Sequence, residues 1–259
     1  MLKALQRWLG PQRSARPAST SVVSANPWQE VADWADLKRF TFKRTRDGGG
    51  FVVDGNSNAQ AWRLEWGPSQ RAYIDGNELR FRMELRLPSS LQMLVLNRAL
   101  LESLERESFE RYTEVNQTQV DVSTSEEMRW VAMFAPSELT GQRALRPHFA
   151  ALSSPLLHVE SWLSGDLAAA LLLAGASVLP KETPCVLMTL RGRAYMRIAL
   201  AQPKAATLDA MTKVFATACT EALRVSTSSI DATATSPSVA AYQLAPVTSA
   251  WQSHVESEK

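Results

Sequence analysis

The stretch AWRLEWGPSQRAYIDGNELRFRMELRL, residues 61–87, sets large apolar residues and charged ones in turn. Trp62, Leu64 and Trp66 share one side of an extended chain and Arg63 and Glu65 the other, until Gly67 and Pro68 stop the run. Asp75, Gly76 and Asn77 supply a turn. Leu79, Phe81, Met83, Leu85 and Leu87 then line one face, and Arg80, Arg82, Glu84 and Arg86 the opposite one. A period of two is the side-chain period of a strand, so the stretch predicts two antiparallel strands with a buried face and a charged face.

Working outward, residues 37–44 alternate apolar and basic side chains and precede the turn Asp47 to Gly50 and a second strand, GFVVDG, which predicts another hairpin. Residues 91–97 read as a strand or the lead-in to a helix, and residues 98–112 as a helix with Leu101, Leu104 and Tyr112 on one side. EMRWVAMFA, residues 127–135, reads as a mostly buried strand. Beyond Ser137 come a short strand near residues 149–152 and one helix whose apolar face includes Leu156, Val159, Trp162, Leu163, Leu167 and Leu171. Residues 185–190 and 193–200 form a tight hairpin about Arg191-Gly192. A last helix over 207–224 turns Leu208, Met211, Phe215 and Ala222 inward. These elements predict an α+β fold of two small modules, 28–136 and 137–225, each a mainly antiparallel sheet covered by helices. Ser, Ala and Pro enrich the segment before residue 28, and Ser, Thr and Ala residues 226–259, so both ends are expected to be flexible. Within the first, Leu2, Leu5, Trp8 and Leu9 recur at helical spacing. A helix so short frays in water, and contact with a membrane surface through those four residues is the alternative.

Composition excludes several classes. Twenty-eight Lys and Arg against 26 Asp and Glu leave a formal charge of +2, too little for a global field that gathers nucleic acid or anionic lipid. Two cysteines, Cys185 and Cys219, are too few for a disulfide framework and predict reduced thiols in a cytoplasmic protein. No run approaches the ~20 apolar residues of a membrane span.

The familiar catalytic motifs are missing. GGG at 48–50 lacks the further glycine or Lys-Ser/Thr of a phosphate cradle, and Ser69 has glycine on one side only, where a nucleophile elbow needs both. His148, His158 and His254 stand apart, so neither a metal site nor a cofactor is expected. Cys185 with His158 could make a thiol–imidazole pair only if the fold joined them, and both cysteines sit in apolar segments that suit burial. The acids Glu102, Glu105, Glu107, Glu110 and Glu114 offer candidate pairs for acid–base work. Glu102 with Arg106 and Glu107 with Arg111, however, have the spacing of surface ion pairs.

The arginine face remains. Arg63, Arg80, Arg82 and Arg86 are the candidate binding residues, because guanidinium groups hold carboxylates and phosphates bidentately. The aromatic side chains fall on the opposite face, which weakens a nucleic-acid reading, and Glu65 and Glu84 among the arginines predict cross-strand ion pairs. Residues 38–86 carry ten Lys or Arg and six Asp or Glu, whereas residues 102–127 carry eight acids and two arginines. Such asymmetry favours a protein partner or self-association over catalysis; the alternatives are binding of a small anion or nucleic acid by the same arginines, or an enzyme whose site is assembled from residues scattered in sequence. Charge reversal at Arg80 and Arg82 together is expected to leave folding nearly intact.

WRLEWGPSQRAYIDGNELRFRMEL, EMRW and LMTLRGRAYMRIAL resemble segments of an uncharacterised bacterial protein family of unknown function, a resemblance that implies no particular site residue. Twenty-one arginines against seven lysines, with abundant alanine, fit a GC-rich bacterial genome.

Overall fold

The alternation of residues 61–87 is realised as two neighbouring strands in a larger sheet. The computed structural model describes residues 27–57, 59–114 and 124–234. Its strands are β1 (Thr41–Arg44), β2 (Phe51–Ser57), β3 (Gln60–Pro68), β4 (Asn77–Glu84), β5 (Met93–Asn97), β6 (Phe149–Ser153), β7 (Cys185–Leu190) and β8 (Arg193–Ala199). They pair antiparallel throughout, in the order β1-β2-β3-β4-β8-β7-β5-β6. The α+β class is as expected, but the two predicted sheets are one. β4 pairs with β8, and β5 lies between β6 and β7, so strands from both sides of residue 137 alternate across the sheet. Continuous pairing leaves only β1 and β6 as edges, whereas two small sheets would leave four.

Register aligns the apolar residues. Phe51, Trp66, Leu79, Ile198 and Cys185 form one row across five strands, and Val53, Leu64, Phe81, Met196, Leu187 and Val95 the next. This inner face packs against α1 (Gln29–Leu37), α4 (Leu156–Trp162), α5 (Asp166–Ser177) and α6 (Ala205–Ala234), numbered with α2 (Arg98–Glu114) and α3 (Glu126–Met133) in chain order. Trp28, Phe51 and Trp66 cluster under α1, and Phe81 meets Phe215 of α6. Buried indoles keep a partner: Trp66 Nε1 donates to the Leu200 carbonyl at 2.8 Å and Trp162 Nε1 to that of Ala218 at 2.9 Å. Gly55 has the Trp62 ring lying on it, where any side chain would collide. The β7–β8 turn has Arg191 at φ 51° and Gly192 at φ 79°, the mirror-image turn whose twist suits a two-residue hairpin.

Four local expectations are corrected. Residues 127–135, expected as a strand, lie mostly in helix α3. Ser125 caps it by accepting from Met128 N at 3.3 Å, and Glu126 and Glu127 occupy its positive first turn. Buried Met128 and Trp130 happen to match a period of two, which hid the cap. The strand expected from Leu37 begins at Thr41, because α1 runs to an exposed Leu37 and closes through Arg39 at φ 59°. The single helix expected over 156–171 is broken before Gly165 into α4 and α5, bent by 70°, and Leu156 is partly exposed. Finally, α6 continues past Val225 to Ala234, so helix occupies the start of the expected tail. Residues 1–26, with Leu2, Leu5, Trp8 and Leu9, and His254 lie outside the described residues.

The outer face is covered over three of its eight strands. Leu94, Leu96, Ala150, Leu152, Val186 and Met188 of β5, β6 and β7 pack beneath Leu100, Leu101 and Leu104 of α2 and Met128 and Trp130 of α3. Among the described residues no helix covers β1 to β4 and β8 on that face. Among the described residues no single helix is long and apolar enough to cross a membrane; α4 and α5 pass that test only as a bent pair.

Candidate functional site

The outer face of β1 to β4 and β8, which no helix among the described residues covers, is a charged ladder. One row runs Val52, Glu65, Arg80 and Arg197; the next runs Asp54, Arg63, Arg82 and Tyr195; Glu84 faces Arg193 beyond them. Arg63 Nε donates to Asp54 Oδ1 at 2.7 Å and Nη2 to Oδ2 at 3.3 Å, while Lys43 reaches Asp54 at 3.3 Å. The Arg63 guanidinium holds the Asp54 carboxyl below the usual carboxylate range, and Asp54 in turn raises Arg63. Arg193 Nε donates to Glu84 Oε2 at 2.6 Å, and Arg80 lies 3.3 Å from Glu65. The cross-strand ion pairs expected of Glu65 and Glu84 are thus present.

The four predicted arginines divide. Arg80 is only 18% exposed in its side chain and sits between Glu65 and Glu78, so its charge is spent inside the protein. Arg63 is held by Asp54. Arg86 lies beyond the end of β4 at φ 54°, off the ladder. Arg82 alone of the four projects from the ladder, exposed, without an ion pair or hydrogen bond among the described residues. Asp54, Ala61, Trp62, Arg63, Arg82, Met83, Glu84, Arg193 and Tyr195 line a shallow groove of about 520 Å³ around it.

Beside the groove the ladder sinks into a buried ionic network. The fully buried Glu78 accepts from Arg80 Nη1 at 3.1 Å, Arg197 Nη1 at 2.9 Å and the Gln70 amide at 3.0 Å. Gln70 belongs to the β3–β4 loop, which folds back over this end of the sheet. From the same loop Arg71 Nε donates to both oxygens of buried Glu127 on α3 at 3.3 Å. Burial lowers the Arg71 pKa and the nearby carboxylates raise it, Glu127 most, for a net rise. Tyr73 is raised by burial and then by Glu127. Charges taken so far from water persist only when paired and hydrogen-bonded.

A second cleft, about 280 Å³, lies between this loop, α2 and α3 and includes Arg71, Tyr73, Glu107, Glu126 and Arg129. Arg71 is committed to Glu127, and Glu126 lies 3.7 Å from Arg129 and 3.6 Å from Arg191. Cys185 and Cys219 are free and buried in the inner core. Burial pushes both thiols up to about 12 and lowers His158, and no hydrogen bond joins Cys185 to His158 among the described residues. The expected ion pair of Glu102 with Arg106 is absent there too; Arg111's side chain lies outside the described ones. The same residues hold no group of three or more His, Cys, Asp or Glu placed to share a metal.

Arg193, Tyr195 and Arg197 share in the site yet were not among the predicted binding residues. Their alternation in RAYMRIAL was visible, but their place beside β4 comes from a pairing more than a hundred residues apart in sequence. Glu78 and Glu127 carried no sequence signal of burial. No protein-family model matches the chain, and no curated protein or solved structure matches it.

Proposed function

We propose that this chain is a non-catalytic protein-interaction module whose docking surface is the uncovered outer face of β1 to β4 and β8. The observation that carries the reading is Arg82. It is exposed, stands opposite the like charge of Arg63, and has no acid of its own among the described residues. Like charges directly opposed across strands cost stability, and a partner's carboxylate at Arg82 would offset that cost. The surrounding charges are locked in place by Asp54 and Glu84, so such a partner meets a preorganised surface.

Anion or nucleic-acid binding is the second reading. Tyr195 favours it, because one ring does stand on the charged face beside Arg82. Four acids on the same face, Asp54, Glu65, Glu78 and Glu84, oppose it.

The test uses the tagged full chain as bait in lysate, wild type beside Arg82→Glu, with and without nuclease. A protein retained by the wild type after nuclease, and lost from a folded Arg82→Glu bait, supports the module. Capture that disappears with nuclease, or that ignores the substitution, overturns it.

A further inference from the structure

The outer face is a step. On one side α2 and α3 stand as a ledge over β5, β6 and β7; on the other, no helix among the described residues covers the five strands, and the β3–β4 loop folds over only their Glu78 end. A helix with its side chains is about 10 Å across, so the recess is about one helix layer deep. Five strands at a spacing of ~4.8 Å make it about 19 Å wide, room for one helix.

Charge follows the same division. The recess presents Lys43, Arg63, Arg82 and Arg193 against Asp54, Glu65 and Glu84, with Arg80, Arg197 and Glu78 in the buried network at its end. The ledge presents α2, where residues 98–110 carry Glu102, Glu105, Glu107 and Glu110 against Arg98 and Arg106. Glu102 and Glu105 are exposed and make no ion pair among the described residues. Phe109 on the ledge is 69% exposed.

We infer that the partner is a second copy of this chain, with the acidic α2 ledge of each copy seated in the arginine recess of the other. This rests on the docking-surface reading above and names its occupant. Ledge and recess lie on one face, so a two-fold axis parallel to the sheet satisfies both at once, the isologous arrangement of most homodimers. α2 is 17 residues and thus about 26 Å long. Two helix-on-sheet contacts of that length must together bury at least ~1,000 Å² to hold a stable pair. Complementary charge sets the register, and Arg82 receives the carboxylate its own chain withholds.

Light scattering on the full chain after size exclusion, at low and high salt, tests the pairing. At low salt the wild type is expected at twice the 28.6 kDa chain mass, weakening as salt rises. Arg82→Glu or Glu105→Arg alone should weaken dimerisation at least about tenfold, circular dichroism confirming the fold, and the double reversal should restore it. A wild type that stays monomeric at micromolar concentration overturns self-association, while the Arg82-dependent capture assay still decides the module reading. A dimer indifferent to both single reversals overturns the assigned surfaces, and single losses without recovery in the double variant overturn the pairing of ledge with recess.

Discussion

Arg82 on β4 and Arg63 on β3 are register partners of like charge, and Asp54 pairs with Arg63 and Lys43 but not with Arg82. The pair is unfavourable to the isolated chain, so relieving it should stabilise. Arg82→Glu should raise stability by about 0.2–1 kcal/mol in urea titration while losing the bound partner. Gain of stability with loss of binding marks a position held for recognition. Loss of both would mean that Arg82 supports the fold.

Arg80 is expected to behave in the opposite way, although only Phe81 separates it from Arg82. With Glu65 and Glu78 around it, Arg80→Glu would crowd three carboxylates into a mostly buried space. Glu78→Ala would leave Arg197 without its buried carboxylate and Arg80 with Glu65 alone, at a cost of about 3–5 kcal/mol. Either variant should lower the thermal midpoint clearly, and the expectation that reversing Arg80 with Arg82 spares the fold is withdrawn for Arg80.

Acid should loosen the clasp between α1 and α6. Asp209 lies 2.8 Å from Lys38 and 2.9 Å from Lys213, and bonds to Lys213 first and Lys38 second lower its pKa from 3.8 to about 2. A folded-state pKa below the unfolded value stabilises fully above 3.8 and is lost as pH falls through about 2. Asp209→Asn should be less stable than wild type near neutrality, and the difference should vanish across that window in denaturation curves taken at each pH.

The two thiols should be silent in the native protein. With Cys185 and Cys219 buried and pushed up to about 12, a disulfide-exchange reagent at about pH 8 should label neither until denaturant exposes both. Prompt labelling of the folded chain would contradict the packing of β7 against α6.

The order of side chains along residues 61–87 was sufficient to determine β3 and β4, their inward apolar rows and their charged face, because a strand's period of two is written locally. The β7–β8 hairpin was legible for the same reason, through Arg191-Gly192 and the flanking alternation. α3 was misread because Met128 and Trp130 satisfy a period of two by coincidence, while its deciding feature is one cap at Ser125. What no local pattern holds is which strands become neighbours. The pairing of β4 with β8 brought Arg193, Tyr195 and Arg197 to the predicted arginines, and buried Glu78 between Arg80 and Arg197. The seating of α2 and α3 over only three strands then decided which charges meet water. The sequence determined the faces of the strands by itself; long-range hydrogen bonding and the desolvation that follows packing decided which arginines are spent within the fold and which stay exposed.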